Sequence, residues 1–172
     1  NARATAKLGL MYAEGRGVEI DYAKSLELML SAAHEGDYEA QNNLGVMYEY
    51  GYGVPQSHEE AFFWYQKAAF QSVETAEFNS GNMYYEGKGV KQDTAKAVFW
   101  YDRAARGGSV DAHNNLGVIY ANGPEELRDM SAAVYNFALS AALGNPAGQL
   151  NLGRMYWHGQ GGLKADQQKG ME

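Results

Sequence analysis

The chain has 172 residues, a net charge of −7, 45% apolar residues and no cysteine. Its acidic balance, without any lysine or arginine cluster, argues against a nucleic-acid partner, which requires a basic face. The lack of cysteine excludes disulfides, thiolate zinc sites and a cysteine nucleophile, and no apolar run approaches the ~18–20 residues that insert in a membrane as a spanning helix.

Residues 1–36 place Leu8, Gly9 and Tyr12 on a first helix that stops at Gly15, followed by a GRGV turn and a second helix carrying Leu28 and Met29. Residues 37–72 repeat this plan more fully. Asp37 is a natural N-cap, Ala40, Leu44, Met47 and Tyr48 fall at helical spacing, and Gly51 is a natural stop. After GYGV, Ser57 and Glu60 have the spacing of a capping box. Ala61, Trp64, Tyr65, Ala68 and Ala69 then form an apolar stripe at i, i+3, i+4, i+7, i+8.

Residues 73–108 follow the same plan, with a GKGV turn, Asp93 as cap and Ala97, Trp100, Tyr101, Ala104 and Ala105 as the stripe. Ser80 stands there for the leucine before glycine, and Ser72 stands where other repeats have a boundary glycine. Residues 109–144 replace GxGV with Gly123-Pro124-Glu125-Glu126 and Trp-Tyr with Asn136-Phe137, and the stacking angle is expected to change there. Residues 145–172 supply a first helix, and Lys164 to Glu172 are expected to enter a second. The chain begins at Asn1 without methionine and has no charged-then-apolar signal segment. We expect a trimmed array, with a leader or further repeats upstream and no complete C-terminal cap.

The period is 36. Gly9, Gly45, Gly81, Gly117 and Gly153 mark it, as do Tyr12, Tyr48, Tyr84, Tyr120 and Tyr156, and the peptide NNLGV recurs at 42–46 and 114–118. A repeat in the 20–50 range points to a solenoid of stacked supersecondary units, here antiparallel helix hairpins that bury their aromatic stripes only against neighbours. A mid-helix glycine costs about 1 kcal/mol relative to alanine. Its recurrence implies close approach of the second helix, with Trp64-type side chains as the expected neighbours. The GxGV turns are expected to need positive φ.

This pattern, A-x3-LG-x2-Y-x2-G-x-GV followed by D-x3-A-x2-WY-x2-AA, resembles the Sel-one-like repeat (SLR) family, a branch of the tetratricopeptide-type solenoids. The resemblance covers essentially the whole chain as a single array, residues 1–172. It implies an all-α fold, a right-handed α-solenoid of about five hairpins, working as a scaffold or adaptor. It also points to an exported or periplasmic bacterial setting. First helices of such arrays line a concave face. The signature alanine, leucine and tyrosine are expected in the core, so recognition falls to the other positions.

Carried onto this chain, the position before Leu-Gly is Lys7, Asn43, Asn79, Asn115 and Asn151. On nearly the same face lie Asn42, Phe78, Asn82, Asn114 and Arg154, with Tyr50, Tyr85 and Trp157 a turn further along. Side-chain amides can hydrogen-bond an extended peptide, and aromatic and arginine side chains concentrate binding energy. The alternative for the asparagines is to hold repeats in register. First helices ~10 Å apart over five repeats give a groove of about 40 Å, room for about 12 extended residues. The expected partner is a protein or extended peptide, and the open ends of the array are a route to oligomers. A carbohydrate or cell-wall ligand is the second reading, and a hydrolase grafted on the array the third.

Nothing in the sequence assigns catalytic, cofactor or metal residues. His34, His58, His113 and His158 lack ligand spacing and read as surface or groove histidines. GKGV at 87–90 lacks the phosphate-loop spacing, and Glu59-Glu60 and Glu125-Glu126 sit near helix starts, where they favour the helix dipole. No cofactor is expected, and no enzymatic activity.

Overall fold

A computed structural model describes residues 1–171. Among them are nine α-helices, one short 3-10 helix and no strand. The chain divides into two compact units, Asn1–Gln92 and Asp93–Glu172.

The N-terminal unit holds α1 (Ala2–Glu14), α2 (Tyr22–His34), α3 (Tyr38–Tyr50), α4 (His58–Ala69) and α5 (Glu74–Glu86). Each helix packs on the next, and α1 also touches α3. Local chemistry sets the boundaries. Asp37 Oδ1 accepts from Ala40 N–H at 2.8 Å at the start of α3, and Gly51 ends that helix at φ 74°. A residue with a Cβ adopts this left-handed conformation only at a cost. Ser57 Oγ accepts from Glu60 N–H at 3.2 Å, but the second half of the expected capping box does not form. The Ser57 N–H already donates to the Tyr48 carbonyl at 2.9 Å, leaving Glu60 nothing to accept.

That backbone bond recurs. Asp21 N–H donates to Tyr12 O and, in the second unit, Asp129 N–H to Tyr120 O, both nine residues apart. The cap residues of α2, α4 and of the second helix that follows Asp129 are thus each pinned to the first helix of their own hairpin. The second glycine of GxGV serves a different contact. A Cβ on Gly53 would meet Tyr22 Cβ at 2.7 Å, and one on Gly89 would overlap the His58 carbonyl. Each turn therefore lies directly on the start of the preceding second helix, which only glycine permits.

The core of this unit contains Ala6, Met29, Ala40, Leu44, Met47 and Trp64, with a second cluster of Ala61, Tyr65 and Met83. The neighbour of mid-helix Gly45 is the Tyr65 ring, which a Cβ there would overlap, not Trp64. Tyr65, one position further along the stripe, aims at the facing helix, whereas Trp64 packs sideways, edge-on to His34 at 5.7 Å. Leu8 is 41% exposed, because only α2 and α3 pack against α1. The signature tyrosines Tyr12, Tyr48 and Tyr84 are half-buried rather than core residues, since a phenol keeps its hydroxyl near water. Ser72 takes φ 62°, the conformation its glycine counterparts Gly36, Gly108 and Gly144 adopt without a side chain.

The C-terminal unit holds α6 (Thr94–Arg106), α7 (Val110–Asn122), the 3-10 helix Glu125–Leu127, α8 (Met130–Ala142) and α9 (Pro146–His158), again packed in succession. Here Phe137 faces Gly117, where a Cβ would come within 2.5 Å of the ring. Gly123 has φ −73°, outside the left-handed region, and the turn runs instead through the 3-10 helix containing Glu125 and Glu126. Asn136, in the tryptophan column, is buried. Its Nδ2 donates to Ala132 O at 2.9 Å and its Oδ1 accepts from His113 Nδ1 at 3.0 Å. His113 is thereby a half-buried bridge between α7 and α8, not a surface histidine.

Over the described residues 164–171, the second helix expected for Lys164 to Glu172 does not form. Asp166 caps a single turn, accepting from Lys169 N–H at 3.0 Å, and the chain at Gly170 closes on Gly153. Gly170 lies against Gly153, where a second helix would lie. Glu172 is outside the described residues.

Candidate functional site

The first-helix residues singled out in the sequence divide by burial. Asn42, Asn43, Phe78, Asn79 and Asn82 are half-buried in the N-terminal unit, while Lys7, Tyr50 and Tyr85 are exposed. In the C-terminal unit Asn114, Asn115 and Asn151 are half-buried, and Arg154 and Trp157 exposed. Helical geometry accounts for the split, because positions next to the buried leucine are tilted only partly out of the interface.

Two asparagine pairs meet. Asn151 Nδ2 donates to Asn114 Oδ1 at 3.0 Å, and Asn79 Nδ2 to Asn42 Oδ1 at 3.5 Å. Both span 37 residues, so the asparagine two residues before the mid-helix glycine reaches back to the residue just before its counterpart in the preceding repeat. Asn151 and Arg154 also border a cavity of about 220 Å³ together with His158 and Met155.

A feature missed from sequence lies beside the asparagines of the N-terminal unit. Tyr50, Tyr52 and Tyr22 stack in succession, with ring centroids 5.7 and 5.5 Å apart. All three are exposed. Tyr52 is the variable residue of GYGV and Tyr22 opens α2. Their meeting depends on the contact between Gly53 and the start of α2, which no spacing rule reports.

Burial, followed by the hydrogen bond to Glu49, pushes the Tyr65 phenol well above the usual tyrosine range. Burial also raises Tyr120, helped by Asp102 and Asp129. Glu27 raises Lys24 and Glu86 raises Lys88 through surface pairs. Among the described residues there is no group of three or more metal-ligating side chains, and no helix is long and apolar enough to cross a membrane.

A family model for the Sel1 repeat matches residues 2–37, 39–71, 75–109, 110–145 and 146–172. The chain belongs to the Sel1 repeat family. Its fold is accordingly an all-α solenoid of about five repeats. Among solved structures it is similar to a protective antigen of uropathogenic Escherichia coli strains that displays the SLR fold, with 37% identity and a TM-score of 0.94. That match covers 98% of this chain but only 36% of the antigen. A Sel1 repeat protein from Oxalobacter formigenes matches with 33% identity and a TM-score of 0.93, over 99% of this chain and 68% of that one. Cysteine rich protein B of Helicobacter pylori is more distant, at 25% identity and a TM-score of 0.56 over 64% of this chain and 86% of that one. This chain has none of the cysteines that give that protein its name. No match was found among curated protein sequences. Sel1 repeat proteins are in general non-enzymatic helical scaffolds for protein interaction.

Proposed function

We propose that this Sel1 chain is a non-catalytic interaction scaffold whose first helices hold a polypeptide segment or partner domain. The observation that carries the reading is the exposure of large aromatic rings within two turns of the asparagine positions on the same helices. Tyr50 is 59% exposed, Trp157 40% and Tyr85 39%. Rings left in water next to polar, hydrogen-bonding side chains have the composition of a binding hot spot. The asparagines suit a main-chain ligand as well as the register role. An amide has two donors and an acceptor with two lone pairs, and one cross-repeat bond leaves capacity for a peptide backbone. Lys7 and Arg154 add a cation in each unit.

The test is affinity capture from the source cells with the wild-type chain and a Tyr50→Ala/Tyr85→Ala bait, after circular dichroism has shown equal helicity. Both side chains are exposed, so folding should be unaffected. Loss of two anchors should weaken a first-helix partner by about 100-fold or more. A partner held equally by both baits overturns the assignment to this face.

A further inference from the structure

Residues 36 apart allow the first two hairpins to be compared position by position. In the second, the Tyr65 ring lies against Gly45 and its hydroxyl donates to Glu49, so the pair fills the space beside Ala61 and Met83. The first hairpin has Met29 at the tyrosine position and Ala13 at the glutamate position. A cavity of about 370 Å³ opens there, lined by both of these residues together with Leu10, Val46 and Met47.

Ser25 also lines this cavity. It interrupts a column that reads Ala61, Ala97 and Ala133 in the next three repeats. Ser25 is wholly buried, and its hydroxyl has no hydrogen-bond partner among the described residues. An unsatisfied buried hydroxyl is unfavourable until something supplies its partner. Two departures from the repeat, Met29 and Ser25, thus converge with the small Ala13 of a column that varies (Glu49, Tyr85, Ala121, Trp157), so that space opens beside an unused polar group.

We propose that this cavity receives a phenol ring, presented as a tyrosine side chain of the polypeptide the scaffold binds; the identity of the presenter rests on the proposed function. The neighbouring hairpin fills the corresponding space with its own tyrosine, so the site already has that shape. Its volume falls in the range of ligand pockets, about 300–1,000 Å³. The thioethers of Met29 and Met47 favour aromatic over aliphatic contact, and the stacked Tyr22 and Tyr52 flank the site with further rings. Among the described lining residues Glu14 alone carries a formal charge at neutral pH, and Arg16 pairs with it at 2.6 Å, so the occupant is neutral. Asn43 lines the same cavity. A segment lying along the asparagine positions therefore passes its mouth.

The test uses p-cresol, which reproduces the tyrosine side chain, and toluene, the same ring without the hydroxyl, titrated into ¹⁵N-labelled protein. Saturable shifts are expected at Ala13, Ser25, Met29 and Met47, with a dissociation constant in the millimolar range for a ligand this small. Ser25→Ala should weaken p-cresol about three- to tenfold, the worth of one hydrogen bond, and leave toluene within about twofold. Ala13→Glu/Met29→Tyr, which restores the pair of the second hairpin, should abolish binding of both. Absence of saturable shifts at these residues overturns the proposal, as does undiminished p-cresol binding by the restored variant. A Ser25→Ala protein that keeps full p-cresol affinity overturns the phenol assignment. If the double variant unfolds, the position of the shifts and the serine variant decide. The two readings fail separately: p-cresol needs no polypeptide, and a partner retained by the Tyr50→Ala/Tyr85→Ala bait defeats the first without touching the cavity result.

Discussion

The Tyr65 hydroxyl donates a 2.7 Å hydrogen bond to Glu49 Oε2, joining α4 to the last turn of α3. The ring is 1% exposed, so the bond is the only outlet for a polar group carried deep into the hairpin. Tyr65→Phe should cost about 1.5 kcal/mol, as for other bonds to a charged partner, lowering Tm by about 3–6 °C in a chain of this size. Burial of the phenol, and after it this bond, makes stability pH-dependent. A phenol whose folded pKa is raised contributes fully below the unfolded value of 10.0, and the contribution falls as pH rises beyond it. Melting curves between about pH 8 and pH 11 should show wild type declining more steeply than Tyr65→Phe above the unfolded pKa. Parallel declines would sink this account.

Gly45 and Gly117 stand in helix interiors, where alanine would ordinarily gain about 1 kcal/mol. Here the added methyl overlaps the Tyr65 and Phe137 rings. Gly45→Ala and Gly117→Ala should therefore destabilise by about 1–3 kcal/mol, the usual cost of overpacking. Gly9→Ala meets Leu28 Cβ at 3.2 Å and the flexible Met29 side chain at 3.3 Å, and should cost much less. Urea titrations of the three variants give the ranking directly.

Gly17 and Gly89 occupy the same turn position at φ 74° and 65° but differ in surroundings. Nothing approaches Gly17 within 4 Å, whereas a Cβ on Gly89 overlaps the His58 carbonyl. Gly17→Ala should show the left-handed strain alone, about 1–2 kcal/mol. Gly89→Ala should cost about 2 kcal/mol more, since backbone must move. Equal losses in chemical denaturation would mean that the turn does not lock adjacent repeats.

Asn114 and Asn151 test the register role. A double-mutant cycle to alanine should give a coupling of about 0.5–1.5 kcal/mol for their 3.0 Å bond. The Asn42–Asn79 cycle, at 3.5 Å, should give less. Coupling near zero in both would leave partner recognition as the reason for asparagine in this column.

Much of the hairpin plan can be read along the chain because it depends on local chemistry. Asp37 and Asp93 cap their helices where the spacing places them, accepting from Ala40 and Lys96 N–H. Gly15, Gly51, Gly87 and Gly159 end theirs at positive φ. The capping box at Ser57 and Glu60 misled for a reason outside its own four residues, since the Tyr48 carbonyl had taken the Ser57 N–H.

What the sequence determined by itself was the period, the paired helices and their ends, because i to i+4 bonding, side-chain caps and glycine φ operate within a few residues. Tertiary structure alone decided which side chain each mid-helix glycine receives, why Asn136 can replace tryptophan by bonding His113, and where the stacked tyrosines meet. It alone showed that Met29 and Ser25, separate departures along the chain, border one cavity with Ala13. Packing is a property of surfaces brought together from distant positions, and each depends on the shape of a neighbour that local spacing does not encode.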